Sequence, residues 1–116
     1  MTLRKFAIAD ASLERSPDQG EEIFVGNVVD QRDGAPISIG YGRYGPGALL
    51  EETMAVDDVM IILEGGLTVS SGDITVTAGP GEIVHMPKDA PITIRAHDDG
   101  ALTAFVTYPH WQEARG

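Results

Sequence analysis

The stretch AGPGEIVHMPKDAPITI, residues 78–94, decides how the chain folds. Two short β-prone runs, EIVHM and APITI, lie between turn signals in which proline presets the backbone and glycine supplies positive φ. This turn, strand, turn, strand order is typical of the second half of a small β-barrel. His85 lies inside the first run. Whether it is the remnant of a metal site, the replacement for one or an ordinary core residue is the functional question that this stretch raises.

The same rhythm extends along the chain from residue 22 onward. Short β-prone runs alternate with turn signals at spacings of about 8 to 12 residues, the pattern of an all-β sandwich or barrel. Residues 11–21 are polar and interrupted by Pro17 and Gly20, and we read them as a loop. The runs are EIFVGNVV, APISIGYGRY, ALLEETM, VMIILEG, LTVSS, DITVTA, EIVHMP, APITIRA and ALTAFVTYP.

The length of the chain predicts a single domain. A chain of 116 residues can bury one core of ordinary size and is too short for two. We expect an N-terminal strand and loop over residues 1–21, a barrel over residues 22–109 and a tail over residues 110–116.

Charge and composition exclude several classes of partner. Eight Lys and Arg against 18 Asp and Glu give a net charge of −10, which repels phosphate backbones and anionic membrane surfaces. No cysteine is present, so disulfides and thiolate chemistry are excluded. The N-terminus lacks a secretory signal, and no run approaches the roughly 18 apolar residues that span a bilayer. The sequence therefore predicts a cytoplasmic protein without nucleic-acid or membrane partners.

Two segments resemble the motifs of the cupin superfamily. The first cupin motif runs Gly, five residues, His, one, His, three or four, Glu, six, Gly, and the second runs Gly, five, Pro, one, Gly, two, His, three, Asn. The scaffold positions match at Gly45, Gly65, Gly81 and Pro87. This resemblance implies an all-β, single-domain cupin, a double-stranded β-helix with a jelly-roll-like barrel.

The metal-ligand positions of those motifs are changed. Glu51, Thr53, Asp58 and Ile92 stand where cupins have two histidines, a glutamate and a third histidine. Because cupin ligand positions point inward, the resemblance implies that Glu51, Thr53 and Asp58 face the cavity. We expect no cofactor. A divalent metal held by Glu51, Asp58 and His85, one imidazole and two carboxylates, is the alternative.

Within the cupins, the chain is most similar to the EutQ-type domain of ethanolamine-utilisation proteins. The likeness rests on DDVMIILEGGLTV, TAGPGEIVHMPKDAPITI and FVTYPHW, and covers most of residues 22–111. That family is associated with bacterial microcompartments and an acetate-kinase activity. No phosphate-cradling loop or basic cluster in this acidic chain supports the kinase activity.

Alternation along the strands predicts which side chains share a face, since residues two apart point the same way. Met60 continues the inward face of Asp58. Tyr41 and Arg43 share one face of the run ISIGYGRY. If that face is the inner one, they meet the carboxylates of Glu51 and Asp58; if it is the outer one, they lie at the surface or in a dimer interface.

The histidines have two readings. An inward His85 near Asp58 can act as a general acid or base or as a single metal ligand. A barrel-filling His85 is the other reading. His97 and His110, beside turns or the tail, are expected to be surface or packing residues.

These observations support two hypotheses of function. The first is an enzyme without the standard metal set, performing acid/base chemistry such as isomerisation, cyclisation or elimination on a small molecule. The second is a ligand-binding or assembly module of an EutQ-like metabolic system. The expected catalytic residues are Asp58, His85 and Glu51, and the expected substrate-binding residues are Tyr41, Arg43, Thr53, Met60 and Ile92.

The N-terminal run LRKFAIA predicts a homodimer. It is short, apolar and β-prone, and the loop that follows lets it reach a neighbouring subunit. A two-fold pair would bury it together with apolar side chains from the outer faces of the barrel. The alternative is a monomer in which residues 3–7 pair with their own barrel.

Overall fold

The structure, a computed structural model, describes residues 3–16 and 22–111. Its regular elements are almost entirely strands, with single 3-10 turns at Ile8–Asp10 and Gln31–Asp33. The predicted all-β class is confirmed. The strands are β1 (Glu14–Arg15), β2 (Ile23–Val29), β3 (Ser38–Tyr44), β4 (Leu49–Thr53), β5 (Asp57–Ser71), β6 (Ile74–Ala78), β7 (Ile83–Met86) and β8 (Pro91–Tyr108).

Two long antiparallel strands, β5 and β8, form the spine of the fold. Their first ladder joins residues 57–65 of β5 to residues 101–108 of β8, and their second joins residues 67–70 to residues 93–96. Around the first ladder the strand order is β1-β2-β3-β8-β5-β7, and around the second it is β4-β8-β5-β6. Each long strand therefore serves both halves of the barrel.

Both long strands bend where they pass from one half to the other. The register shifts on either side of Gly65, which pairs with Ala101. Gly65 and Gly100 have φ of 73° and 72°, a region that favours glycine. A Cβ at Gly65 would overlap the carbonyl oxygen of Gly100. The bend therefore depends on close approach of two backbones.

The core lies between the two halves of the barrel. Alternate residues of each strand point inward, as the pleat requires, and Ile62 and Leu67 are fully buried near the bend of β5. The main core cluster is Ile23, Tyr44, Leu50, Met54, Met60, Ile62, Leu67, Val69, Ala78, Val84, Met86, Ile92, Ile94, Ala96 and Ala101.

The N-terminal expectations need correction. Residues 3–7 form no strand; they lie near the outer face of β3, where the Tyr41 hydroxyl donates to the carbonyl oxygen of Phe6 (3.4 Å) and Arg4 pairs with Asp33 (3.1 Å). The predicted loop contains β1, which pairs with β2. Its residues 17–21, and the predicted tail beyond Trp111, lie outside the described residues, and the domain division stays a prediction.

A matched pair of glycine substitutions tests the bend. Gly72, in the β5–β6 turn, also has positive φ (59°), but a Cβ there meets nothing within 4 Å. Gly72→Ala should cost about 1 kcal/mol for the left-handed conformation alone. Gly65→Ala adds the overlap with Gly100 and should cost about 3 kcal/mol or more. Urea unfolding measures both, and equal costs would contradict the close approach.

Candidate functional site

A cavity of about 90 Å³ lies inside the barrel, partly open to solvent. Side chains from six strands line it, and most are apolar, including Leu50, Met54 and Phe105. The polar lining is confined to two carboxylates, Glu52 and Asp58, and to the hydroxyl-bearing side chains Tyr44, Thr53, Thr103 and Thr107. The cavity is therefore an apolar space with a small polar group of side chains.

The segment after β8 closes one side of this cavity. The Trp111 indole lies edge-on to the Phe105 ring, with ring centroids 6.4 Å apart, and its Nε1–H donates to Asn27 Oδ1 at 3.0 Å. The buried His110 Nδ1 is 2.7 Å from Ser38 Oγ. His110 is thus a packing residue that ties the end of the described chain to β3.

Asp58 is the half-buried carboxylic acid of the cavity. It stands on β5 between Met86 of β7 and Thr107 of β8, and its Oδ1 is buried without a hydrogen-bond partner. Burial, and then the negative charge of Glu52, raise the pKa of Asp58 to about 7. Asp58 can therefore hold or release a proton near neutral pH.

The second cavity carboxylate is Glu52, and the expectation that Glu51 faces inward is wrong. On β4 the buried residue is Leu50, and pleating carries Glu52 to the same face. Glu51 is exposed on the opposite face. The expectation for Glu51 came from its place at a cupin ligand position, and a difference of one residue along a strand reverses the face.

His85 lies outside the barrel, so its predicted position beside Asp58 is wrong. On β7 the inward residues are Val84 and Met86, which leaves the His85 side chain 62% exposed. Its Nε2 is 3.7 Å from Asp57 Oδ1, also at the surface. A pair this exposed contributes little to stability.

Tyr41 and Arg43 lie on the outer face of β3, the second of the two readings. The inner face carries Ser38, Gly40, Gly42 and Tyr44 instead. Small residues are needed there because a Cβ at Gly40 would lie 2.6 Å from the Phe105 ring and 2.4 Å from the carbonyl oxygen of Gly26.

The remaining predicted binding residues fall into two groups. Met60 lines the cavity in the barrel core, and Thr53 lines it while remaining largely exposed. Ile92 is buried in the core but lies outside the cavity lining, next to the gap between β6 and β7. Of the eight predicted residues, the structure brings Asp58, Met60 and Thr53 to one cavity.

A metal ion does not fit the predicted ligand set. Glu51 and His85 point away from Asp58, and residues 3–16 and 22–111 contain no group of three or more His, Asp or Glu side chains arranged to hold an ion. Glu52 and Asp58 alone supply two ligand side chains where protein metal sites commonly use three or more.

Glu52, Thr103, Thr107 and Trp111 are cavity residues that sequence reasoning missed. Strict alternation from Leu50 would have found Glu52. Thr107 could have been found only from strand pairing, because its neighbour Asp58 lies 49 positions earlier in the chain.

Comparison with protein families identifies the chain. The family model described as "Ethanolamine utilisation protein EutQ" matches residues 17–113. The chain belongs to the EutQ family. The resemblance of its motifs to EutQ-type cupins is thereby confirmed, and no curated protein matches this EutQ-family chain closely enough to add an activity.

Solved structures share the cupin fold of this EutQ-family chain. A protein of unknown function from Rhizobium leguminosarum bv. viciae 3841 is 63% identical, with a TM-score of 0.82 over 95% of this chain and 100% of the other. A putative ethanolamine utilization protein Q from Salmonella typhimurium LT2 is 21% identical, with a TM-score of 0.77 over 84% and 79%. The polyketide cyclase RemF from Streptomyces resistomycificus is 19% identical, with a TM-score of 0.78 over 93% and 80%. The last two likenesses show the fold alone.

The structure tests only one part of the expectation that the protein has no membrane partner. Within the described residues, no helix is long and apolar enough to cross a bilayer.

The raised pKa of Asp58 predicts a characteristic pH dependence of stability. Because its pKa of about 7 in the folded chain exceeds the roughly 3.9 of an unfolded aspartate, the folded state binds the proton more tightly. Its contribution is complete below about pH 4 and is lost as pH rises through about 7, on the order of 2–4 kcal/mol. Nearby Tyr44 stays neutral over this range, since burial, Asp58 and Glu52 raise its pKa. Asp58→Asn should flatten the decline in unfolding free energy between about pH 4 and pH 7.

Asp57→Asn is the control for this experiment. Asp57 is the neighbouring residue on β5 but is exposed to solvent. Its variant should give a curve parallel to that of the unmodified chain. Parallel curves for both variants would contradict the assignment to Asp58.

Proposed function

We propose that this EutQ-family protein is an enzyme that performs acid/base chemistry on a small molecule in its cavity, with Asp58 as the group that takes up and returns a proton. The observation that carries the proposal is the half-buried Asp58 carboxyl, which has one buried oxygen and a pKa raised to about 7 in a cavity that has mostly apolar walls. A catalytic acid or base works best when its pKa lies near the operating pH. A group tuned in this way, inside a concave site, is a candidate catalytic residue.

The two carboxylates of the cavity have different roles in this proposal. Glu52 lies on β4 and Asp58 on β5, and the negative charge of Glu52 disfavours ionisation of Asp58. When Asp58 takes a proton from the ligand, this repulsion decreases, so proton uptake is favoured. Glu52 therefore acts as the group that tunes the basicity of Asp58.

Proton abstraction next to a carbonyl is the reaction that fits this arrangement. It is the first step of many isomerisations, cyclisations and eliminations, and it needs a positioned base, whose pKa an apolar environment can raise toward neutral pH. Apolar side chains such as Met54, Met60 and Phe105 provide that environment.

Phosphoryl transfer, which the EutQ likeness implies, has less support. Among the described residues that line the cavity there is no lysine, arginine or histidine. Two carboxylates in the same space repel a phosphate group, and phosphoryl transfer relies on cationic groups around the transferred phosphate.

A binding or assembly module of an EutQ-like metabolic system is the second candidate. It is favoured by exposed apolar side chains on the edge strands, Ile74 and Val76 of β6 and Ile83 of β7, which border an open concavity of about 410 Å³.

Homodimer formation belongs to this proposal, because exposed strand edges favour pairing with another chain. Light scattering tests it: the mass of a single chain at micromolar concentration would contradict the dimer.

Hydrogen–deuterium exchange tests the enzymatic proposal without knowledge of the product. A panel of small ketones, keto acids and cyclic enones is incubated in deuterated buffer, and NMR follows exchange at the carbon next to the carbonyl. The unmodified chain should accelerate exchange of at least one compound. Asp58→Asn should reduce that acceleration by about 10²–10⁴-fold, the usual contribution of a general base.

His85→Ala is the matched control, because the sequence placed His85 at the site and the structure places it outside. It should exchange at the rate of the unmodified chain. Acceleration that persists in Asp58→Asn would sink the assignment of the base, and a panel without any acceleration would favour the binding module.

A further inference from the structure

Two buried side-chain oxygens without a partner belong to residues that are neighbours in the cavity wall. Among the described residues they are the only such side-chain atoms: Oδ1 of Asp58 and Oγ1 of Thr107. Asp58 and Thr107 are paired across the β5–β8 ladder, so their Cβ atoms are about 4.5–5.5 Å apart on the same face. Both residues line the cavity.

Each of these atoms has a strong requirement for a partner. A buried polar atom left unsatisfied costs about 1–3 kcal/mol, and buried polar atoms in native proteins are rarely orphaned. Thr103 shows the usual solution four residues away on β8: its hydroxyl donates to the carbonyl oxygen of Gly42 at 3.2 Å. Thr107 has no such arrangement, although it is only 1% exposed.

The neighbour of Thr107 on its other side does not satisfy it. Ser38 pairs with Thr107 across the β3–β8 ladder, but its hydroxyl is 2.7 Å from His110 Nδ1. The Ser38–His110 contact therefore leaves the Thr107 hydroxyl available on the side of Asp58.

We propose that Thr107 and Asp58 form a subsite for a single oxygen of the ligand, a hydroxyl or carbonyl oxygen attached to a small apolar body. A ligand hydroxyl would donate to the Asp58 carboxylate and accept from Thr107; a carbonyl oxygen would accept from the Thr107 hydroxyl, which leaves the Asp58 carboxylate able to take up a proton. This deepens the proposed function, on which it rests for the use of the same cavity, and it adds Thr107 as a binding residue.

The rest of the cavity defines the apolar body. Met54, Met60, Phe105 and Trp111 surround the remaining space, and thioether and aromatic groups pack well against rings. A volume of about 90 Å³ corresponds to on the order of six water-sized positions, which suits one small ring.

Phenol and toluene test the subsite, because they have nearly the same size and differ in a hydroxyl against a methyl. Their dissociation constants are measured by NMR titration of the unmodified chain, Thr107→Val and Thr103→Val. The unmodified chain should prefer phenol. Thr107→Val should weaken phenol binding about three- to tenfold, the value of one hydrogen bond, and leave toluene binding unchanged.

Thermal unfolding distinguishes this role from a structural one. Valine has the shape of threonine without the orphaned hydroxyl, so Thr107→Val should unfold at the same temperature or a few degrees higher. Thr103→Val is the matched control on the same face of β8. It removes a hydrogen bond that the chain makes to itself, so it should unfold at a lower temperature and keep the preference for phenol.

The outcomes separate this inference from the proposed function. Unchanged phenol preference in Thr107→Val, equal loss of both probes, or no binding of either probe to the unmodified chain would overturn the subsite. If the subsite holds while Asp58→Asn still accelerates proton exchange, the catalytic proposal fails and the binding residue remains. If Thr107→Val has no effect while Asp58→Asn abolishes exchange, only the subsite fails.

Discussion

The pairing of β5 with β8 is the constraint on which the other features depend. These two strands carry both halves of the barrel and change halves together at Gly65 and Gly100. Because the two backbones approach too closely for a side chain at Gly65, the strands keep one register on each side of the bend. That register places Asp58 beside Thr107 and points both into the cavity.

A half-buried acid such as Asp58, with one oxygen fully buried, destabilises the fold. Its ionised form loses solvation and is repelled by Glu52, and the raised pKa expresses that loss. An apolar residue of similar size would stabilise the barrel in its place. Destabilising polar groups of this kind are concentrated at functional sites, where they lower stability but provide the reactive or binding groups. The two unpartnered oxygens of Asp58 and Thr107 are groups of this kind.

The sequence predicts the fold class better than it predicts the candidate site. Turn residues and β-prone runs are local signals, so the all-β class and the scaffold glycine at Gly65 were readable. The inward face of β4 was predicted wrongly, because the cupin motif marked Glu51 while the alternation from buried Leu50 carries Glu52 inward. His85 was misplaced because its strand is short, and alternation in a short strand is anchored only by its pairing with β5.

The glycine-rich face of β3 shows a second reason for error. Larger residues such as Tyr41 and Arg43 were candidates for the interior, yet the interior position is taken by Phe105 from β8, which leaves space only for glycine at position 40. The periodicity of one strand cannot show that a side chain from a distant strand fills the space beside it. Asp58 was found because it occupies a position that cupin motifs mark and also continues the inward face of Met60.

A carbon-13 NMR titration of the side-chain carboxyl groups tests the central claim most directly. The resonance of Asp58 is assigned by its disappearance in Asp58→Asn and is followed from pH 3 to pH 9. The account predicts a midpoint at about 7, where burial and the charge of Glu52 place the pKa. A midpoint at about 4, the value of an exposed aspartate, would contradict it.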